Sequence, residues 1–393
     1  MIKRRLQKFN FFFEFFEKNS ILPFYEKVNN TTNGQISVNQ STSKIVGSKG
    51  GVFVVNFIPP YLDAKINIQS SPYRAFQVKP RTGFIMDLSP FSNADDYLKS
   101  HLGSKNRRNI LSRLKRLETC FDITYKSYFG EIEKSEYDFL FGEFERMISN
   151  RFEQRGDEHV GFQRWDDYKE SVYDLIRNKR ASLFVIYDQN KPIVINLNYH
   201  YQNILDIAIP SYDIDYFKFG LGQTVLVKQL EWCFQNNYVR VDLRWGELAY
   251  KRLWCNAIMK YKCDIVYNKN IPTSILLAFF ISKGVNVKRA LADRKMWPIN
   301  LKFLFNGKDN ENSGKNVDEV AAARFEELES LPSQEELRIL DINTEEFRFL
   351  RNHVYNFQYI KNEHTGNIRV FSINTEKMSY IIQGKSKLQK LIL

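Results

Sequence analysis

Asp242-Leu243-Arg244-Trp245-Gly246-Glu247-Leu248-Ala249-Tyr250-Lys251-Arg252-Leu253-Trp254 is the stretch on which the reading of this chain turns. It closes a short extended run, Tyr238–Leu243, bends at Gly246 and enters a helical segment near Leu248–Cys255. In an α/β sheet, ligands sit beyond the carboxyl ends of strands, so polar residues there are placed for chemistry. Asp242, Glu247, Tyr250 and Lys251 are the candidates. Tyr250 is a proton donor, Glu247 or Asp242 a proton acceptor, directly or through water. The same residues also fit a structural role. Tyr250 and Trp254, four apart, make a core stripe, and Asp242 and Lys251 make ion pairs.

The order upstream is regular. Phe121–Ser127 reads as a strand, and Ser135–Asn150 and Asp166–Lys179 read as helices. Three extended runs follow: Ser182–Tyr187, Pro192–Tyr199 and Ile204–Ile209. Asp188-Gln189-Asn190-Lys191 joins the first two as a hairpin turn. A helix from about Gly220 to Asn236 leads to the quoted stretch. Beyond that stretch come a strand at Lys262–Tyr267 and a helix at Thr273–Lys288. Nearer the start, Val52–Ile58 (stopped by Pro59-Pro60) and Gly83–Leu88 are extended. A long helix then runs from about Asn93 to Glu118. Its apolar face is Leu98, Leu102, Ile110, Leu114 and Leu117, and Asn93 caps it ahead of Asp95 and Asp96.

Two further stretches carry charge chemistry. Lys218-Phe219-Gly220-Leu221-Gly222-Gln223-Thr224 is a Gly-bearing turn opening a helix. Its first-turn N–H groups carry partial positive charge and suit a pyrophosphate, glycines let the phosphate approach, and Lys218 adds a cation. An ordinary helix start packed closely through its glycines has the same pattern. The long helix holds seven Lys/Arg between Lys99 and Arg116 and no acid, with Arg107 and Arg108 at its centre. One sign of charge over several turns repels itself until an anion comes near.

With Ser104-Lys105-Asn106-Arg107-Arg108-Asn109-Ile110, these stretches give Asp87–Ala257 a resemblance to GNAT-type acyltransferases, of the group holding CelD-like cellulose-biosynthesis proteins and related to the FemAB aminoacyl transferases. The resemblance implies an α/β fold: a GNAT-type mixed, mostly antiparallel sheet flanked by helices, arranged as a FemAB-like tandem. It implies acetyl-CoA or another acyl-CoA as co-substrate, with Lys218 through Thr224 at the pyrophosphate. Phe217 stands where the family carries Gln or Arg. Arg107, Arg108, Arg151 and Lys251 are then substrate contacts, Arg151 from a loop with Phe152 and Gly156. By family analogy the acceptor is a sugar, a polysaccharide precursor or another cell-envelope molecule. Three alternatives stand beside this reading: a FemAB-like enzyme using aminoacyl-tRNA, a non-catalytic binding protein on the same scaffold, and a nucleic-acid binder built on the basic helix.

Composition bounds these readings. Of 393 residues, 43% are hydrophobic and 15% aromatic, enough for a large core and against disorder of the whole chain. A net charge of +12 points to anionic partners. Cys120, Cys233, Cys255 and Cys263 form no CxxC pair and have no His at ligand spacing, so no metal is expected, and reduced thiols suit the cytoplasm. His159 and His200 stand alone and read as structural. The segment Met1–Tyr25, rich in Phe, is too short to span a bilayer. It reads as a helix packed on its own domain or lying on a membrane, which allows a peripheral location at the inner membrane face. Residues 1–118 are expected as an N-terminal lobe that includes the basic helix, 119–305 as the acyltransferase core, and 306–393 as a linker with a small C-terminal α+β module. In that last part, Val317–Glu329 is expected helical and Tyr355–Ile382 extended.

Overall fold

Apolar runs buried on both faces, such as Leu183–Ile186 and Ile193–Ile195, make central strands. In the computed structural model, which describes residues 6–38, 51–67, 69, 71–155, 164–293, 323–333, 336–374, 376 and 378–393, they lie in one nine-stranded sheet. The strands, in chain order, are β1 (Leu6–Asn10), β2 (Lys27–Asn30), β3 (Ile36–Val38), β4 (Val52–Ile58), β5 (Leu62–Lys65), β6 (Tyr73–Asp87), β7 (Ile123–Tyr128), β8 (Ala181–Asp188), β9 (Lys191–Tyr201), β10 (Ile204–Tyr212), β11 (Arg240–Trp245) and β12 (Ala257–Asn268). The large sheet runs β1-β4-β12-β6-β11-β10-β9-β8-β7, and β3-β2-β5 form a small one. Among the described residues, only β1 with β4 and β10 with β11 pair in parallel.

The helices are α1 (Ala94–His101), α2 (Ser104–Cys120), α3 (Lys134–Arg155), α4 (Trp165–Arg177), α5 (Leu221–Gln235), α6 (Ala249–Trp254) and α7 (Pro272–Asp293). Strand, two helices, three antiparallel strands, helix, strand, helix, strand is thus the observed order, as in the GNAT fold. The long helix expected over 93–118 is two helices. Leu102 turns into the core and Gly103, a poor helix former, caps the second. Asn93 does cap the first, accepting from the Asp96 N–H at 2.9 Å.

The N-terminal segment is not one helix. β1 pairs with β4, and only 11–17 wind helically. Phe11, Phe12, Phe15 and Phe16 are buried in the core with Tyr25, Tyr61 and Tyr261, which is the packed reading of that segment. Among the described residues no helix is long and apolar enough to cross a membrane.

The C-terminal part corrects two expectations. Arg324–Glu327 is a strand, β13, held by pairing to Leu388–Ile392, where a helix was expected; residues 317–322 and the linker 306–317 lie outside the described residues. Arg351–Lys361 is a helix, α8. The alternation Tyr355-Asn356-Phe357-Gln358-Tyr359 imitates a strand, but Leu350, Val354 and Phe357 fall at helical spacing and bury together. With β14 (Leu337–Leu340), β15 (Arg369–Ile373), β16 (Ser379–Gln383) and β17 (Leu388–Ile392), this makes a five-stranded antiparallel sheet with one helix. The helix α8 docks on α2 and on the turn before α5. Tyr355 meets Tyr216, Tyr359 meets Phe219, and Arg116 donates to the Tyr359 carbonyl.

Two strands bulge at one level of β12. Asn56 and Phe57 of β4 face Cys263 alone, and Lys79 and Pro80 of β6 face Lys262 alone. Phe57 there takes φ +62° and stacks on Trp245 with centroids 3.7 Å apart. Beside it Gly83 makes room for the ring of Tyr261, whose Cε2 would lie 1.3 Å from a Cβ. Gly83→Ala is therefore expected to destabilise the fold by roughly 2–3 kcal/mol, as overpacking does. Urea unfolding of the variant beside wild type measures it.

Candidate active site

β10 and β11 pair for three residues only: Ile204 with Arg240, Leu205 with Val241, and Asp206 with Asp242. Both strands bulge just past that point, β10 at Ala208 and β11 over Leu243–Arg244. The strands part there, and the parting places two buried carboxylates side by side.

Two buried acids in a sheet need compensation. Arg244 supplies most of it. Its Nε donates to Asp206 Oδ1 at 2.8 Å and its Nη2 to Asp206 Oδ2 at 2.6 Å, a two-point contact. Its backbone sits at φ +61°, so the bulge aims the guanidinium back across the gap. Glu17 lies 3.7 Å from the same Nη2 and pairs with Arg164 at 3.2 Å. Asp242 takes hydrogen bonds from the Tyr261 hydroxyl at 2.6 Å, from the Tyr61 hydroxyl and from the Arg244 N–H. Burial first, then the neighbouring Asp206 charge, pushes the Asp242 carboxyl up to about 6, against those three donors. Lys251, also buried, donates to the Trp245 carbonyl; burial pulls its ammonium down to about 8, with Asp242 and Asp206 opposing.

At the other end of the gap, α5 starts at Gly220, whose φ of +63° is the left-handed region where glycine is favoured. The Gln223 and Thr224 N–H groups donate to the Gly220 carbonyl at 2.8 and 3.1 Å. Phe219, Leu221 and Thr224 turn their side chains inward, while Phe217 and Lys218 are exposed, the ammonium 4.9 Å from the Phe217 ring. Arg113 of α2 lies against Gly220, and Tyr212 at the end of β10 lies against Gly222. Arg151 covers the Tyr212 ring at 4.5 Å. Tyr250 is close enough to both for their charges to act on it, and burial holds its phenol up at about 12.

The candidates thus fall into separate places. Asp242 and Lys251 belong to the buried network. Tyr250, Arg151 and Gly222 each lie near Tyr212, at the end of β10. Glu247 is exposed and pairs with Arg252. Arg107, Arg108, Lys105 and Lys115 line an open depression of about 810 Å³ on the outer face of α2, together with Lys99, which pairs with Asp95 there. His200 is fully buried between Tyr238 and Ser182, at 2.7 and 2.8 Å, and burial depresses it to about 3. Gly156 and His159 lie outside the described residues. Among the described residues no cluster of His, Cys, Asp and Glu is placed to hold a metal, and all four cysteines are free and buried.

Sequence reading passed over Asp206, Glu17, Tyr61, Tyr261 and the part played by Arg244. One signal was present: an acid inside the apolar run Ile204-Leu205-Asp206-Ile207 has to be paired in the fold.

Residues 104–252 match the model of the family described as an acetyltransferase (GNAT) domain. No curated protein matches the chain significantly. Among solved structures, FemX matches at 11% identity over 58% of this chain and 74% of its own, with a TM-score of 0.41. L-PGS from Bacillus licheniformis matches at 12% identity over 59% and 72%, with a TM-score of 0.36. A tandem GNAT protein of the clavulanic acid biosynthesis pathway matches at 8% identity over 55% and 63%, with a TM-score of 0.31.

The raised Asp242 carboxyl has a defined effect on stability. Its folded value, about 6, lies above the ordinary carboxyl value. Between the two, the folded state binds more protons than the unfolded one, so this group's contribution falls as pH rises through that window. Asp242→Asn removes the term. Relative to wild type, the variant should gain stability from about pH 4 to about pH 6 and hold a constant difference above about pH 7. Denaturant unfolding across this range checks it; a difference that does not change with pH refutes it.

Proposed function

We propose that the protein is an acyltransferase that moves an acyl group from a CoA thioester directly to an amine or hydroxyl, using the gap between β10 and β11. The observation that carries the reading is the parallel pair that parts immediately after Asp206 and Asp242, with the glycine-started helix α5 at its mouth. A parted pair leaves backbone N–H groups of β10 without a strand partner, and such groups suit the oxyanion that forms at the acyl carbonyl. The match of residues 104–252 to the GNAT domain agrees with this reading.

The residues fit a thioester carrying phosphates. The amides of Leu221 and Gly222 open α5 and supply donors for a pyrophosphate, and Lys218 and Arg113 stand beside them with positive charge. CoA supplies the activated acyl group. Tyr250 stays protonated and stands close to Arg151 and Tyr212, so its hydroxyl can give a hydrogen bond to the departing thiolate sulfur. Asp242 and Glu247 serve differently from what position alone suggests. Asp242 is enclosed by two tyrosine hydroxyls and fixes the strand ends, and Glu247 faces solvent beside Arg252. Lys251, an amine depressed toward neutrality, is the buried group best suited to accept a proton.

The cationic depression on α2 favours an anionic acceptor, such as an acidic or phosphorylated sugar of a cell-envelope precursor. The same charge serves an aminoacyl-tRNA, the second reading, which the sequence resemblance to FemAB enzymes keeps beside the first.

Calorimetric titration with CoA and acetyl-CoA separates these. Micromolar binding that Lys218→Glu weakens about tenfold or more supports the proposal, since this exposed residue takes no part in the core. Absence of binding by folded protein rejects it and leaves the aminoacyl-tRNA reading. Once turnover is measured, Tyr250→Phe should lower kcat by about a hundredfold with little change in KM. Unchanged kcat removes Tyr250 from the reaction.

A further inference from the structure

α7 covers the N-terminal part of the large sheet with one face. Leu277, Ala278, Ile281 and Val285 pack on Val52, Val54, Val78, Cys263 and Ile265. Its opposite face is unusual. Leu276, Phe279, Phe280 and Val287 are 58%, 43%, 62% and 59% exposed, and they follow one another at helical spacing along three turns. Scattered exposed apolar residues are ordinary, whereas a contiguous stripe marks a contact surface.

Charge indicates what the stripe meets. The other exposed positions of α7 are Pro272, Thr273, Lys283, Gly284 and Lys288. No carboxylate lies among the described exposed positions of this helix. Lys283 stands within the stripe, its ammonium 5.3 Å from the Phe279 ring, with its stem lying along apolar surface. Lys79 is exposed near the far end, where its backbone N–H donates to Asn286 at 2.6 Å. Apolar side chains whose charged neighbours, among the described exposed positions of the helix, are lysines complement a bilayer interface carrying anionic headgroups. Two copies meeting through this stripe would bring their lysines together, with no carboxylate between them among the described exposed positions of the helix.

We propose that this face of α7 docks the protein on an anionic membrane surface, with Leu276, Phe279, Phe280 and Val287 inserted among the lipids and Lys79, Lys283 and Lys288 at the headgroups. The contact is peripheral and reversible, since one helix face buries little apolar area. It lies apart from the aromatic N-terminal segment, whose rings are in the core. It does not depend on the acyl-transfer reading.

The test is co-sedimentation of the full chain with phosphatidylcholine vesicles, with and without phosphatidylglycerol. Binding is expected only to the anionic vesicles. Leu276→Glu with Phe280→Glu should weaken it about tenfold or more, and Lys283→Glu about fivefold. These positions are exposed, so the unfolding midpoint of each variant should match wild type. Absence of vesicle binding by folded wild type overturns the proposal, as does equal binding by the variants. A dimer in sedimentation velocity that Phe280→Glu disperses also overturns it, in favour of a second copy of the chain.

Discussion

The two-point contact between Arg244 and Asp206 is the interaction on which the centre of this molecule depends. Parallel pairing of β10 and β11 sets Asp206 beside Asp242 with no solvent on either. Two adjacent buried carboxylates are untenable without a cation at contact distance, and removing one partner of such a pair typically costs about 3–5 kcal/mol. The cation comes from the same strand, two residues beyond Asp242. At that point β11 bulges and Arg244 enters the left-handed region. The pairing of β10 with β11 ends at the same level, so the charge pair sits where the gap begins.

The remaining partners tie distant parts of the chain to that point. Tyr61 comes from the turn after β4, Tyr261 from β12 and Glu17 from the aromatic N-terminal segment. Phe12 and Phe57 close on Trp245 from either side. The N-terminal residues therefore pack against the candidate site, and β1 and β4 belong to the same sheet as β10 and β11. On the opposite side, α8 of the C-terminal sheet holds Tyr216 and Phe219, the residues leading into Gly220. The turn that opens α5 is thus braced by residues more than a hundred positions away.

What could be read from the sequence follows from how local each signal is. The strand and helix order from Phe121 to Lys288 was legible because hydrophobic period and turn chemistry are written within a few residues. The glycine-bearing turn at Lys218–Thr224 was legible for the same reason. The buried network was not. Asp206, Tyr61 and Glu17 are separated by more than forty residues each and meet only through sheet order. Glu247 follows a strand, a place suited to chemistry, and in the fold it faces solvent beside Arg252. The error over Tyr355–Tyr359 has a related origin. Aromatic and polar residues alternate there as in a strand, while the buried contacts that decide the matter lie on α2 and the turn before α5.

A site built in this way divides its tasks between rigid and adjustable parts. The carboxylates and the two tyrosines are enclosed and Arg244 is largely so, so they fix distances and change little when a ligand arrives. The groups at the mouth are different. Lys218 is exposed, Tyr212 and Tyr250 are half-buried, and Arg151 holds Tyr212 by stacking. Long cationic side chains on a half-open rim adapt to an anion at small cost, whereas a buried carboxylate pair tolerates no such change. The chemistry of the bound partner is therefore to be sought in the rim, and the reason that the rim keeps its place in the network beneath it.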